Sequence, residues 1–505
     1  MKWLALATTV FAVSLALRAS GPREVPPFDD LYHLQRMEAF PRVPTFDPGR
    51  GERGAFCPWP PLYDFLGGAL LRLLGRRIVW MAPFGFSLFA ATFGVIVARR
   101  IGMLSGATAG FGLALSPYLI DVSQVGALDH HWVEPMLVLA IVAATLRRNG
   151  IALGIAIAAA MLVQTALLPA AALAFVAFFL QAPRQGAIGF AIAAAVVAAD
   201  RLLQPPGYPD NAWFLGWPHV WLFLGAATAC CLVPRRSRAV SIAAGIAAAS
   251  PALPAVLAGL HFFGGDPWLQ SIAEFQPMFR DPASLGTDLA NLTGGALLAF
   301  FVVRRQPVVG GFSILYLLLA LSSHRFLVPG IPLFVLCGAI AASRLATAAT
   351  LLPPLFWLAA TFAQPWTADR MAAVIRLPSL PPGRVLAPWS YGHAIHVLRR
   401  MPVMIDNFGS MPDEVAFANA NQALLQTDPA ALRAWCLEHG VRYLFLPDAA
   451  TRLRSTAACV PGIDPDAYTR TALARRTVWW RLRYGATFRG FRRVAAGDIE
   501  VWEIE

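Results

Sequence analysis

Long apolar runs broken by short polar stretches set the rhythm of this chain. A helix that crosses a membrane needs roughly 20 apolar residues, with a range of about 17–25. By that rule about thirteen runs qualify, at 3–18, 78–98, 102–119, 132–146, 150–165, 167–182, 186–203, 214–233, 239–260, 286–303, 308–322, 326–343 and 346–364. Some are nearer about 15 residues or fused, so the count carries a margin of about one or two. The first run, "WLALATTVFAVSLAL", follows only Met1-Lys2 and leads into a barely A-x-A-like "RAS". It reads as a retained membrane helix rather than a cleaved signal. After residue 364 the pattern changes. "VRYLFLPD" and "RRVAAGDIEVWEIE" alternate like strands, and "DPAALRAWCLEHG" has helical spacing, with Asp428 as cap and Gly440 as stop. The expected fold is a polytopic α-helical membrane domain over 1–364 and a small mixed α/β domain over 365–505.

Composition agrees. Of 505 residues 57% are hydrophobic and 14% charged, against about 25% charged in soluble domains. The net charge of +12 would suggest nucleic acid in a soluble protein. Here the arginines fall largely in pairs at the ends of apolar runs, which is a topology signal, so no nucleic-acid partner is expected. With a cytoplasmic N-terminus, Arg99-Arg100, Arg147-Arg148, Arg184, the "RRSR" at 235–238 and Arg304-Arg305 all fall inside. Arg76-Arg77 is the exception. Segments 19–77, 120–131, 204–213, 261–285 and 365–505 then lie outside the cell (inner) membrane. There is no zinc-spaced cysteine cluster. Cys230 and Cys231 sit in an apolar run, while Cys436 and Cys459 are able to pair if their domain is extracytoplasmic, a question that spacing leaves open.

Four polar clusters share the predicted outer face: "FDDLYHLQR" (28–36), "LDHHWVEP" (128–135), "SIAEFQPMFRD" (271–281) and "SSHRF" (322–326). Ionisable groups at a membrane boundary are costly unless paired or metal-bound. Asp29, Asp129, His131 and Glu274 together offer hard oxygens and one imidazole, a set suited to Mn²⁺ or Mg²⁺. Arg325 offers a planar fork for phosphate oxygens. Singly, each has a plainer reading. Asp29 and Asp30 pass for loop carboxylates, His130 and His131 for interfacial side chains, Glu274 for a loop residue and Arg325 for an anchor. The argument is their conjunction.

These stretches resemble the oligosaccharyltransferase catalytic subunit family, polyprenyl-linked glycan transferases of the GT-C fold. The resemblance covers about residues 1–410 and rests on motifs in the family's order. Asp29 lies four before His33 in a Tyr-His-x-Arg-like stretch, with Asp30 and His33 as fallbacks if the register slips. Asp129-His130-His131 is similar to the archaeal form of the second motif, which leaves His130 as a further fallback. Ser271-Ile272-Ala273-Glu274 looks like the family's Ser/Thr-x-x-Glu, and Arg325 like its pyrophosphate-contacting arginine. The resemblance implies a divalent ion held by Asp29, Asp129, His131 and Glu274. Asp29, Asp129 and Glu274 would serve the reaction, the donor would be a polyprenyl-linked glycan, and the sugar would be transferred with inversion to a protein asparagine or another acceptor.

The match departs in two places. The family's Trp-Trp-Asp-Tyr-Gly motif, which reads the acceptor, is here "PWSYG", with Pro388 and Ser390 in place of the first Trp and the Asp. Trp389, Ser390 and Tyr391 either bind acceptor or form a packing turn. The arginine expected ahead of the second motif is absent from "DVSQVGALD". These departures keep open a GT-C transferase acting on a lipid, a polysaccharide or a different protein motif. A transporter or flippase of lipid-linked sugars and a non-catalytic relative are further readings.

Overall fold

The computed structural model describes residues 1–21, 25–26, 29–261, 268–269, 272–280, 284–341, 343–361, 374 and 376–505. The chain divides into two compact units. The first holds Met1–Glu24, Trp59–Phe263 and Glu274–Trp366; the second holds Val25–Pro58, Gly264–Ala273 and Thr367–Glu505.

The first unit is helical. Lys2–Ala19 is followed by Leu62–Leu74, which runs through a 3-10 turn at Gly75–Trp80 into Met81–Arg100. Met103–Leu115, Glu134–Leu146, Gly150–Val163, Leu168–Gln181, Pro183–Leu203 and Trp217–Leu232 come next. Arg238–Ala249 leads on to Leu253–His261, and Leu285–Arg305, Pro307–Ser322, Leu327–Ala341 and Arg344–Thr361 complete the unit. Among the described residues six helical segments, Lys2–Ala19, Leu62–Arg100, Pro183–Leu203, Arg238–Gly259, Leu285–Arg305 and His324–Ala341, are long and apolar enough to cross a membrane. Shorter apolar helices stand between them. This is the architecture of a multi-pass membrane protein.

The arginine pairs that set the predicted topology also end helices. Arg99-Arg100 and Arg304-Arg305 occupy last turns, where positive charge complements the helix dipole. After Arg147-Arg148 the Asn149 side chain accepts from the Ala152 amide at 3.0 Å and starts the next helix. Between Met81–Arg100 and Met103–Leu115 small residues bring the backbones together. A Cβ on Gly106 would stand 2.1 Å from that of Ala98, so only glycine fits this crossing.

The second unit gathers distant segments. Helix Asp29–Glu38 precedes β1 (Phe46–Asp47) and β2 (Ala55–Phe56), which pair antiparallel. β3 (Arg384–Leu386), β4 (Val441–Leu446), β5 (Phe491–Ala495) and β6 (Glu500–Ile504) form a sheet in the order β3-β4-β6-β5. The β3–β4 pair is parallel and the other two pairs are antiparallel. The predicted strands and the helix Pro429–Glu438 are present. Asp428 caps that helix by accepting from Ala430 N at 3.0 Å, and Gly440 at φ +65° stops it. Leu31 packs in one core with Val385, Ile395, Val403, Phe445 and Val501. The segment Val25–Pro58, which pattern alone places in an outer loop, is thus part of this unit's core. Cys436 and Cys459 are both buried free thiols. Cys459 Sγ donates to the Ser455 carbonyl, and burial raises the Cys436 thiol to about 12.

Candidate active site

The first unit builds a dense polar cluster. Asp129 is in extended backbone and caps a 3-10 turn, His130–Val133, that runs into the helix beginning at Glu134-Pro135. This switch turns Asp129, both histidines and Glu134 toward one another. His130 Nδ1 lies 2.7 Å from Asp129 Oδ1. His130 Nε2 lies 2.8 Å from Gln164 Nε2, an arrangement that fits a proton on Nδ1. Beneath it Trp132 Nε1 donates to the Tyr63 hydroxyl at 2.9 Å, and that hydroxyl donates to the Asp129 carbonyl at 3.1 Å. Asp129 is therefore fixed through both its backbone and its side chain.

His131 meets four partners. Its Nε2 is 3.2 Å from Asp129 Oδ2 and 3.9 Å from Glu274 Oε2, while its Nδ1 is 3.0 Å from Glu134 Oε1 and 3.0 Å from Arg325 Nη1. Arg325 grips Glu134 with both ends of its fork: Nη2 donates to Oε1 at 2.6 Å and Nη1 to Oε2 at 3.2 Å. Glu274 stands on a 3-10 turn, Ala273–Phe275. Residues of the "SSHR" stretch hold that turn in place. Ser323 Oγ donates to the Glu274 carbonyl at 3.2 Å, the His324 amide donates to the Gln276 carbonyl at 3.0 Å, and His324 Nε2 lies 2.7 Å from Asp288 Oδ1.

His131 and Asp129 have the spacing of two ligands on one divalent ion, with Glu274 beside His131. Two ligands about 2.1–2.3 Å from one ion and at right angles stand ~3 Å apart, close to the His131–Asp129 separation. Asp129, His131 and Glu274 keep 15%, 17% and 32% of their side-chain surface exposed, so an ion has access. Glu134 and Arg325, at 1% and 6%, lie behind them. His130, His131 and Glu134 also offer ligand atoms within 4.8 Å of one another, but Gln164 already engages His130, and Arg325 engages Glu134 and the Nδ1 of His131.

Asp29 belongs to the second unit, at the start of its first helix, with Oδ1 3.3 Å from His393 Nδ1. Asp30 and His33 are buried in the same helix. His393 lies 3.7 Å from Asp406 Oδ1, stacks on Tyr32 at 4.8 Å and meets Phe408 edge-on at 4.7 Å. Arg50 donates to Asp406 through Nε and, at 3.1 Å, through Nη2. Burial alone would raise the Asp406 carboxyl, but Arg50 and His393 pull it down to about 2. His396 Nε2 stands 2.9 Å from Asp47 Oδ2. Burial opposes both ionised forms there, and their mutual attraction prevails: Asp47 is lowered and His396 raised.

Trp389, Ser390 and Tyr391 form a 3-10 turn before helix Gly392–Arg399. Trp389 packs edge-on against Trp268 at 6.0 Å, and Tyr391 enters the core with Leu31. Ser390 Oγ is buried and makes no hydrogen bond among the described residues. Gly392 abuts Asp406, whose Cα a Cβ would meet at 2.3 Å, so the turn and the "DNFG" stretch lock together. Ser271 lies outside the described residues. Sequence reasoning placed Glu134 in the polar cluster without a role, and missed Arg50, Asp406 and His393. Glu134 had a signal, its spacing three after His131 and four after His130 where a helix begins. The Arg50–Asp406 pair, 356 positions apart, had none.

No family model matches the sequence, and no curated protein matches it. Solved structures do. An archaeal oligosaccharyltransferase, AglB from Archaeoglobus fulgidus, in complex with an inhibitory peptide and a dolichol-phosphate, superposes with a TM-score of 0.78 at 14% identity, over 98% of this chain and 79% of that one. An Archaeoglobus fulgidus oligosaccharyltransferase in complex with Zn and sulfate gives 0.71 at 15% identity, over 97% and 78%. The apo form gives 0.74 at 15% identity, over 97% and 79%. At these identities the likeness speaks for architecture: the chain has the GT-C membrane fold of the archaeal oligosaccharyltransferases.

Proposed function

We propose that this protein is a membrane glycosyltransferase of the oligosaccharyltransferase type. It moves a glycan from a polyprenyl (pyro)phosphate donor to a protein asparagine on the extracytoplasmic face of the cell membrane, through a chain that crosses the bilayer about thirteen times. The observation that carries the reading is the partly exposed Asp129–His131–Glu274 donor set with the Arg325 fork directly behind it, on a fold shared with proteins solved with dolichol-phosphate, peptide, Zn and sulfate.

Asp129, His131 and Glu274 would hold Mn²⁺ or Mg²⁺, and Asp29 is a candidate ligand on the sequence resemblance alone. When bound, the ion supplies Lewis acidity to phosphate oxygens. Asp129 and Glu274 also offer acceptors for the N–H groups of an incoming amide, which they orient for attack. Arg325, a delocalised cation, suits the charge that develops on the leaving phosphate. Trp389, Ser390 and Tyr391 are assigned to the acceptor side. Ser390 lacks the carboxylate that would take a Ser/Thr hydroxyl proton with charge-assisted strength, which favours, as a second reading, a lipid, polysaccharide or non-sequon protein acceptor.

The test is purified protein with Mn²⁺, a pool of polyprenyl-pyrophosphate glycans and an Asn-x-Thr peptide, with Asp129→Ala as control. A glycopeptide from the wild type alone supports asparagine transfer. Asp129-dependent donor cleavage without glycopeptide supports the second reading. A donor untouched in every reaction, with no response to metal, would sink both and favour transport.

A further inference from the structure

Glu134 is the most deeply buried carboxylate of the cluster and has no place in the chemistry above. It cannot meet an ion freely, since both its oxygens accept from Arg325. What it does touch is His131 Nδ1, at 3.0 Å, on the side of the ring away from Asp129 and Glu274.

That geometry constrains the imidazole. A ring nitrogen that ligates a metal carries no proton, so a ligating Nε2 requires the proton on Nδ1. Nδ1 then needs an acceptor. Among the described residues its two polar neighbours are Glu134 Oε1 and Arg325 Nη1, and a guanidinium accepts nothing. Glu134 is the group that takes this proton's hydrogen bond. With Glu134 removed, the same Nδ1–H would point at a cation. Arg325 in turn fixes Glu134, so one carboxylate aligns both the ligand histidine and the arginine fork.

We propose that Glu134 is a positioning residue that holds His131 in the metal-ligating tautomer while orienting Arg325. The inference rests on the reading of Asp129, His131 and Glu274 as an ion site. Partners of this kind, outside the ligands themselves, typically contribute about 10–100-fold to metal affinity.

The experiment is a Mn²⁺ titration of the full-length protein in detergent, followed by the loss of free-Mn²⁺ spin-resonance signal, with no donor present. The proteins are wild type, Asp129→Ala, Glu134→Leu and Glu134→Gln, each checked by metal-free thermal melting. Glu134→Leu is expected to weaken Mn²⁺ binding about 10–100-fold. Glu134→Gln keeps an oxygen able to accept from Nδ1 and is expected to lose clearly less. Should Glu134→Leu fail to fold, Glu134→Ala takes its place: a loss clearly larger than that of Glu134→Gln supports the proposal, and a loss equal to it, or none, overturns it. Equal losses in the two folded variants would make the role one of charge alone and overturn it. So would an unchanged affinity in Glu134→Leu beside a loss in Asp129→Ala, which leaves the proposed function standing. A wild type that binds no Mn²⁺ overturns both readings together.

Discussion

Each unit of this protein buries one arginine against one carboxylate with a histidine beside them, and the two clusters are built for different ends. Around Arg50–Asp406 the walls are aromatic. His393 stacks on Tyr32 and meets Phe408 edge-on, and the Arg50 guanidinium sits 4.1 Å from the Phe408 ring centre. Around Arg325–Glu134 the histidine opens instead onto Asp129 and Glu274, both partly exposed. A closed pair of this kind joins distant segments, since charges removed from water must find each other or the fold fails. A pair with one side left open is a base on which further donors are held at fixed spacing. The lesson is that a buried ion pair gives no sign of its role by itself; its neighbours decide.

The largest effect should come from breaking the open cluster at its exposed edge. Asp129→Ala is expected to lower glycan transfer at least ~100-fold and to abolish Mn²⁺ binding, read by peptide modification and by titration. In the closed cluster, Asp406→Asn leaves Arg50 buried without its counter-charge. A loss of about 3–5 kcal/mol in the stability of the second unit is expected, measured by denaturant unfolding followed by tryptophan fluorescence. A double change to apolar residues, Arg50→Met with Asp406→Leu, should be milder than Asp406→Asn, because no orphan charge remains.

Acid sharpens the contrast further. Asp406 and Asp47 have lowered folded pKa values, so their stabilisation is present above the ordinary carboxylate range and is lost as pH falls through the folded values. His396 has a raised value; its contribution is full below about 6.5 and fades as pH rises through the folded value. The melting temperature of the second unit should fall between about pH 4 and pH 2, and Asp406→Asn should flatten that fall. Arg325→Lys keeps the charge but loses the two-point grip on Glu134. A roughly tenfold weaker inhibition by inorganic pyrophosphate is expected, with little change in folding. The smallest change is Ser390→Asp, which restores the acidic position of the family motif. If the acceptor is a sequon, peptide modification rises a few-fold; no change in peptide use would favour the non-sequon acceptor.

Much of this was legible in the chain. Apolar runs located the helices because a bilayer offers backbone groups no partner but each other. Arginine pairs marked helix ends, and Asp428 and Gly440 bounded a helix through purely local hydrogen bonding and backbone freedom. Asp129 and His131 stood out because they lie two positions apart in one polar stretch, and Glu274 and Arg325 because each sits in a recognisable short motif.

What local pattern does not hold, only the fold decided. Val25–Pro58 looks like a loop because its apolar residues are sparse, yet Leu31 and Tyr32 are buried in the second unit's core. Arg50 finds Asp406 across most of the chain, and no spacing rule reaches that far. Glu134 was visible as a residue but not as a role: which of its neighbours takes its charge depends on Arg325, brought from 191 positions away. Sequence alone determined where the apolar helices run and which chemistry-bearing residues the chain carries. Tertiary structure decided which charges meet, because the cost of burying a charge is settled by its nearest partners in space.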